Sequence, residues 1–464
     1  MLDTKRKDSF AVLLVCSMFF FASAPSVTWA KEALTNKVPT RSEARKDDDG
    51  GVDMEQVQRF SAALNHVKNF YVEPVGDEKL FENAIRGMLQ GLDPHSTYLD
   101  EAEFKDLKVS TSGEYGGLGI EITMEDGYVK VVSPIDDTPA AKAGVKAGDL
   151  FIKVDDKSIK GMSLREAVEH MRGKVGSPVT ITVYRKGAKN NPFQLTLVRE
   201  KIQIHTVKSK VFDDYYGYVR ISHFQSPTAN DLRVAVAKLQ QQTHNQLRGL
   251  VLDLRNNPGG LLDSAIDVSD AFIHNDKQGA EETIVFTKGR ISGAAFTAHA
   301  KPGDMIQGAP IMVLINEGSA SGSEIVAGAL QDNQRAVVLG TKSFGKGSVQ
   351  TILPLDEKRG VKITTARYYT PKGRSIQAKG IEPDIVVEAL KISDIDDDTK
   401  AAGLATTEAS LKGHLNSESS TESVAAKGAE QSEESSEVAK KDYQLFEALN
   451  LLKGLHVLQR HPQI

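Results

Sequence analysis

A multidomain α+β protein is predicted, with a helical N-terminal region, a β-rich module behind it and an α/β core. The chain has 464 residues, too many for one ordinary domain. Its texture also changes twice. Helical spacing gives way near Gly116 to short β-branched runs punctuated by glycine, and these give way after Glu200 to alternating strands and helices.

The chain opens with Lys5, Arg6 and Lys7, an apolar run from Phe10 to about Ala24, and Thr28-Trp29-Ala30 before Lys31. That order is a secretory signal, residues 1–30, with cleavage expected near Ala30. The run is shorter than the roughly 20 residues a membrane-spanning helix needs, which disfavours an uncleaved anchor. Ala22-Ser23-Ala24 is a poorer cut because Pro25 follows. Cys16 is the only cysteine, and Leu13-Leu14-Val15-Cys16 makes a poor lipoprotein box. The mature chain therefore lacks cysteine, which excludes disulfides, thiol catalysis and Cys-based zinc sites. An envelope compartment, the periplasm, is expected. A net charge of −5 without a long basic stripe argues against nucleic acid as a partner.

Residues 31–52, with Asp47-Asp48-Asp49-Gly50-Gly51, read as a flexible leader. In the helical region, 53–107, Met54, Val57, Phe60, Leu64, Val67 and Phe70 fall at helical spacing, as do Phe81, Ile85, Met88 and Leu89. These two helices are expected to pack together or against another subunit. The β-rich module, 108–199, carries strand signals at 119–122, 128–132, 150–154 and 179–184, with a helix from Ser163 to Met171. In the core, 200–390, strands are predicted at Leu250–Leu254 and Ile311–Ile315, with helices at Leu262–Phe272 and Ser323–Leu330. The Ser/Glu/Asp/Ala-rich stretch 391–441 has too few large apolar residues to offset the entropy of ordering and is expected to stay unfolded. Helical spacing returns in 442–464 with Phe446, Leu449, Leu452 and Leu455.

Tyr115-Gly116-Gly117-Leu118-Gly119-Ile120 places glycines ahead of a strand, where backbone N–H groups can form a nest for a terminal carboxylate. Together with Thr138-Pro139-Ala140-Ala141-Lys142-Ala143-Gly144-Val145-Lys146-Ala147-Gly148-Asp149, this resembles the PDZ domains of bacterial envelope proteases. The resemblance implies β-augmentation at Gly117, Leu118, Gly119 and Ile120 by peptides with apolar carboxyl ends.

In the core, Ile311 to Glu324 runs from a buried strand through the small-residue turn Gly318-Ser319-Ala320-Ser321-Gly322 into a helix. Such a turn holds a hydroxyl at a helix N-terminus, where unpaired N–H groups stabilise an oxyanion. None of the eleven histidines lies in a recognisable local motif, although sequence distance does not exclude one in space. Lys346, between Gly345 and Gly347, is the better base, provided burial leaves it a neutral amine.

Asp253-Leu254-Arg255-Asn256-Asn257-Pro258-Gly259-Gly260, the serine turn, Phe344-Gly345-Lys346-Gly347-Ser348-Val349-Gln350 and Leu92-Asp93-Pro94-His95-Ser96-Thr97-Tyr98-Leu99 together resemble the C-terminal processing (tail-specific) peptidases, over residues 53 to 388. The resemblance implies a crotonase-like core and a serine endopeptidase without a cofactor or metal. It places the nucleophile on Ser321, the base on Lys346 and a lysine-orienting glutamine on Gln350. Oxyanion donors fall on the N–H groups of Gly322 and of Gly259 or Gly260. It implies homo-oligomers and a tetratricopeptide-repeat lipoprotein adaptor as partner. Asp332 matches an accessory acidic position, but a structural cap or hydrogen-bond acceptor is the preferred reading, since a neutral lysine gains little from a carboxylate. Arg255 and Asn256 suit substrate positioning or bracing of their own turn.

Gly340-Thr341-Lys342-Ser343-Phe344-Gly345-Lys346 reproduces most of a phosphate-loop spacing, but Gly347 stands where a magnesium-binding Ser or Thr is required. A non-catalytic peptide-binding scaffold is the stronger rival, and Ser321, Lys346 and Gln350 argue against it.

Overall fold

The computed structural model describes residues 51–135, 137–273, 282–390 and 437–460, in two units divided between Glu73 and Pro74. The expected signal segment and 391–436 of the acidic stretch lie outside the described residues. The first unit holds helix α1, Met54–Phe70, capped by the Asp53 carboxylate, which accepts from Glu55 N at 3.0 Å; none of its residues is buried.

The second unit begins with α2, Asp77–Gln90, strand β1, Thr97–Leu99, and α3, Glu101–Ser112. Asp100 and Glu103 form a reciprocal capping box on α3, and Gly113, at φ 72°, ends it in the left-handed conformation glycine tolerates. Here the structure adds a strand to the expected helical region: β1 joins a core sheet while Tyr98 stays hydrogen-bonded to Glu82 and Arg86 of α2.

The PDZ module comprises β2 (Glu114–Gly117), β3 (Ile120–Glu125), β4 (Tyr128–Pro134), α4 (Pro139–Lys142), β5 (Leu150–Val154), β6 (Lys157–Ser158), α5 (Leu164–Met171), β7 (Pro178–Tyr184), β8 (Phe193–Val198) and β9 (Glu200–Gln203). The main sheet runs β3-β4-β5-β7-β8 around a core containing Val129, Phe151, Ile159, Ile181 and Val183. Alternation of half-buried and exposed residues, as in β3, follows from the two-residue period of a strand. β2 and β9 pair antiparallel, Glu114 opposite Gln203, so the module's two chain connections lie side by side. The module's strands run from 114 to 203, and residues 108–112 belong to α3.

The core strands are β10 (Val207–Phe212), β11 (Tyr216–Ile221), β12 (Gly249–Asp253), β13 (Thr283–Gly289), β14 (Thr297–His299), β15 (Ile311–Ile315), β16 (Ala336–Gly340), β17 (Ser348–Pro354), β18 (Gly360–Tyr369) and β19 (Ile385–Val386). The central sheet runs β10-β11-β12-β15-β16-β19 and is parallel from β11 onward. Helices α6 (Thr228–Gln242), α7 (Leu262–Asp270) and α8 (Gly322–Asp332) make its crossovers. Every residue of β12 and β15 is buried, as befits strands covered on both faces. Leu250, Leu252, Ile311 and Val313 face one core with the crossover helices, and Val251, Met312 and Leu314 face another. That second core is closed by α9, Tyr443–Arg460, through Leu445, Ala448, Leu449 and Leu452. Of the stretch expected to stay unfolded, 437–441 are described; they are helical, with Ala439 buried. The second core sheet runs β1-β18-β13-β14, with β17 also on β18.

Candidate active site

Three neighbouring parallel strands end at the same edge of the central sheet. β12 feeds the turn to Gly260, β15 the turn to Ser321, and β16 the loop to Lys346. Loops at the carboxyl ends of parallel strands are where such sheets gather reactive groups.

Ser321 is the N-cap of α8, at φ 53° and ψ −111°. A side chain rarely adopts this backbone, which costs roughly 1–3 kcal/mol, and the surroundings hold it there. Ala320 N donates to Asn257 O (3.0 Å), Ser323 Oγ to Asn257 O (2.8 Å) and Ser319 Oγ to Leu254 O (2.8 Å). Ser319 and Ser323 are thus fully buried braces.

Gly259 lies directly on the serine: a Cβ there would stand 2.7 Å from Ser321 Cβ and 2.9 Å from Gly322 N. Its N–H donates to Asn257 Oδ1 at 2.9 Å. Gly260, at φ 145°, instead packs on the main chain of Phe224. Phe224 N donates to Gly259 O and Leu261 N to Phe224 O. Among the described residues no acceptor takes the N–H of Gly322 or of Gly260.

The lysine loop is attached through one buried carboxylate that the sequence reading overlooked. Glu324, fully buried, accepts on Oε2 from Ser321 N (2.7 Å) and Lys346 N (2.9 Å), and on Oε1 from Gly345 N (2.7 Å) and Ser343 Oγ (2.6 Å). Burial pushes its carboxyl above the ordinary range, and the four donors offset this only in part. Gly345 has φ 94°, and a Cβ on Gly347 would fall 2.4 Å from Gln377 N, so both glycines serve the close approach expected of them.

Burial, followed by the nearby charge of Lys362, holds the Lys346 amine below its usual pKa. Among the described residues its side chain makes no hydrogen bond or ion pair. Gln350 Nε2 donates to Ser348 Oγ (2.9 Å), Ser348 O (3.3 Å) and Thr364 Oγ1 (3.4 Å), not to the lysine.

Tyr368, 2 % exposed, donates its hydroxyl hydrogen bond to Lys346 O and has Glu324 and Ser321 nearby; burial, then the Glu324 charge, raises its pKa well above normal. The Leu92–Leu99 motif also reaches the site. Thr364, beside Gln350, donates through Oγ1 to Asp93 Oδ1 (3.2 Å), and Ser96 Oγ accepts from Thr364 N (3.1 Å). This brings in a histidine that sequence distance had hidden: His95 is held below its usual pKa by burial and then by the charge of Lys346.

Asp332 sits at the far end of α8, about 16 Å along the helix from Ser321. It accepts from Lys372 N (2.9 Å) and pairs with Arg374, anchoring the loop after β18. Arg255 braces its own turn, as described below.

On the PDZ module, Gly117, Leu118, Gly119 and Ile120 line a groove of about 160 Å³, closed by Val168, Met171 and Arg172 of α5 and its C-cap. Leu118 O and Gly119 O are engaged by Ala140 N and Ile135 N.

A strained serine on a helix N-terminus, beside spare amides and a desolvated lysine, is equipment for acyl transfer. The chain belongs to peptidase family S41, the carboxy-terminal processing proteases, and is a serine-type peptidase. The family S41 model matches residues 215–387, a PDZ domain model 116–195, and the model of the activating protease CtpB N-terminal domain 13–103. A carboxy-terminal-processing protease of Bartonella bacilliformis is 48 % identical over 407 residues, covering 86 % of this chain and 88 % of that one. The carboxy-terminal processing protease CtpA of Bacillus subtilis is 36 % identical over 331 residues, covering 71 % and 68 %. Among solved structures, a photosystem II D1 C-terminal processing protease is 32 % identical, with a TM-score of 0.41, covering 71 % of this chain and 86 % of that one.

Proposed function

We propose that this peptidase is exported to the periplasm and cleaves envelope or unfolded proteins near their C-termini with a Ser321–Lys346 dyad. The observation that carries the dyad is Glu324 Oε2, which takes hydrogen bonds from the main-chain amides of both residues and so ties nucleophile and base into one site. Neutral Lys346 removes the Ser321 proton as the hydroxyl attacks the scissile carbonyl. The oxyanion is received by Gly322 N–H and by the Gly259–Gly260 turn, where Gly259 must first release Asn257 Oδ1 and Gly260 need not. Lys346 then protonates the leaving amine and activates the water that hydrolyses the acyl-enzyme.

The PDZ groove captures an apolar carboxyl end by strand addition and gates the site, so that Gln350 turns from Ser348 and Thr364 to the lysine on binding. A homo-oligomer working with a tetratricopeptide-repeat lipoprotein adaptor completes the reading.

The test is digestion of an unfolded protein by residues 31–464 beside Ser321→Ala and Lys346→Ala. Both variants are expected to lose turnover by several orders of magnitude. A parent that stays inert with envelope extract yet binds peptide tightly would instead be a scaffold. For gating, deletion of 114–203 is expected to change turnover of an unstructured substrate, and unchanged turnover refutes it.

A further inference from the structure

Arg255 stands between two residues that hold the serine turn. On one side Leu254 O accepts from Ser319 Oγ at 2.8 Å. On the other, Asn256, at φ 57°, takes Asn316 Oδ1 on its N–H (2.8 Å), and its Oδ1 accepts from Asn316 Nδ2 (2.9 Å). The Arg255 backbone is thus tied on both sides to the turn that carries Ser321.

The Arg255 guanidinium is in turn held both by its own strand end and by the C-terminal helix. Its Nε and Nη2 donate to Asp253 at 3.0 and 2.7 Å, and its Nη1 and Nη2 donate to Asp442 at 2.7 and 2.6 Å. Nη1 also donates to Gln444 Oε1 at 3.0 Å. Asp253 is fully buried and takes Arg220 (3.1 Å) and the Tyr218 hydroxyl (2.8 Å) as well, so two carboxylates balance two guanidiniums. Asp442 caps α9, accepting from Leu445 N at 3.1 Å, and Gln444 Nε2 donates to Val387 O at 2.7 Å. A bidentate arginine between two carboxylates fixes geometry as well as charge.

We propose that the C-terminal helix belongs to the catalytic apparatus, with Asp442 acting through Arg255 as a positioning residue for the serine turn. The helix is therefore more than a cover for the sheet. Docking of α9 supplies the second carboxylate on Arg255, and undocking would leave the guanidinium held by Asp253 alone, with Nη1 unpaired. The proposal rests on the reading of Ser321 as nucleophile.

The experiment uses the full chain and an unstructured protein substrate, with parent, Asp442→Asn, Asp442→Glu, Arg255→Gln, the Asp442→Asn/Arg255→Gln double variant and Ser321→Ala side by side. Rates are taken well below each unfolding midpoint. Asp442→Asn is expected to lower kcat about tenfold, the scale of a sub-ångström misplacement, with KM unchanged within about twofold. Asp442→Glu recovers most of the loss, and the double variant is no slower than Arg255→Gln alone. Parental kcat in Asp442→Asn overturns the proposal, as do additive losses in the double variant or losses that merely track the folded fraction. Cleavage that survives Ser321→Ala would overturn the nucleophile assignment instead, while the effect of Asp442 remains readable on the same cleavage.

Discussion

Replacing Glu324 separates what holds the site together from what reacts in it. In Glu324→Ala, three main-chain donors lose their acceptor, Gly345 N buried and Ser321 N and Lys346 N part-buried. At about 1–3 kcal/mol for an unsatisfied buried group and less for the two part-buried ones, the loss reaches at most about 9 kcal/mol, against a typical total stability of about 5–15 kcal/mol. Glu324→Gln keeps one acceptor oxygen. Its cheaper orientation turns the amide nitrogen toward Gly345 N and Ser343 Oγ, and the serine hydroxyl can turn to accept, so one donor is stranded for about 1–3 kcal/mol. Urea unfolding of the full chain is therefore expected to show a modest deficit for Gln and a several-fold larger one for Ala. Turnover by folded Gln should fall up to about 100-fold, because the stranded Gly345 N adjoins Lys346 and shifts the lysine loop. The pH dependence has a definite sign. The folded-state pKa of Glu324 is raised above the ordinary 4.5, so its contribution is fully present below that value and is lost as pH rises through the raised pKa. The stability gap between parent and Gln should accordingly narrow from acid toward neutral pH. An Ala variant as stable as the parent, or a fully active Gln variant, would refute the reasoning.

Lys362→Met removes the second cause of the depressed Lys346 pKa, so the alkaline-rising limb of kcat should move to higher pH; an unmoved or acid-shifted limb counts against Lys346 as base. The same depression means that the unfolded chain holds this proton up to 10.5 and the folded chain releases it earlier, so stability contributed by Lys346 should grow with pH in between, as measured by unfolding in Lys346→Met and parent. His95→Asn should keep that activity limb in place, whereas its disappearance would make the histidine the base. Leu452→Ala, at a fully buried position on α9, should cost about 2–5 kcal/mol in unfolding and loosen the helix without touching the Arg255 cluster directly.

The parallel core was readable because buried strands such as Ile311–Ile315 are unbroken apolar runs, and the serine turn because small residues there have few other uses. Glu324 was hidden in plain sight: one turn into a helix, a glutamate normally reads as a solvated capping residue, and only the fold shows that its helix N-terminus is roofed by the lysine loop. His95 and Arg255 were opaque for a different reason. The charge that acts on His95 and the carboxylate that pairs with Arg255 lie 251 and 187 positions away, at Lys346 and Asp442, and no local period encodes relations of that range. The β17–β18 hairpin was missed because β18 is only part-buried along most of its length and lacks a clean alternation.

The pairing of β2 with β9 bears on how such a chain could have been assembled. Gly113 O accepts from Ile204 N at 2.8 Å, so the protease layer is interrupted at a point where its two severed ends remain hydrogen-bonded neighbours. A module joined at adjacent ends can be excised, lengthened or exchanged for another without re-threading its host. The joint is also bolted down: Gln225 Nε2 donates to Ser110 O at 3.0 Å and Ser226 N to Thr111 O at 3.1 Å, next to Phe224 on the Gly259–Gly260 turn. A recombined module would thus arrive at a socket already wired to the serine, and new binding preferences could be acquired by cassette while the chemistry stayed with the host.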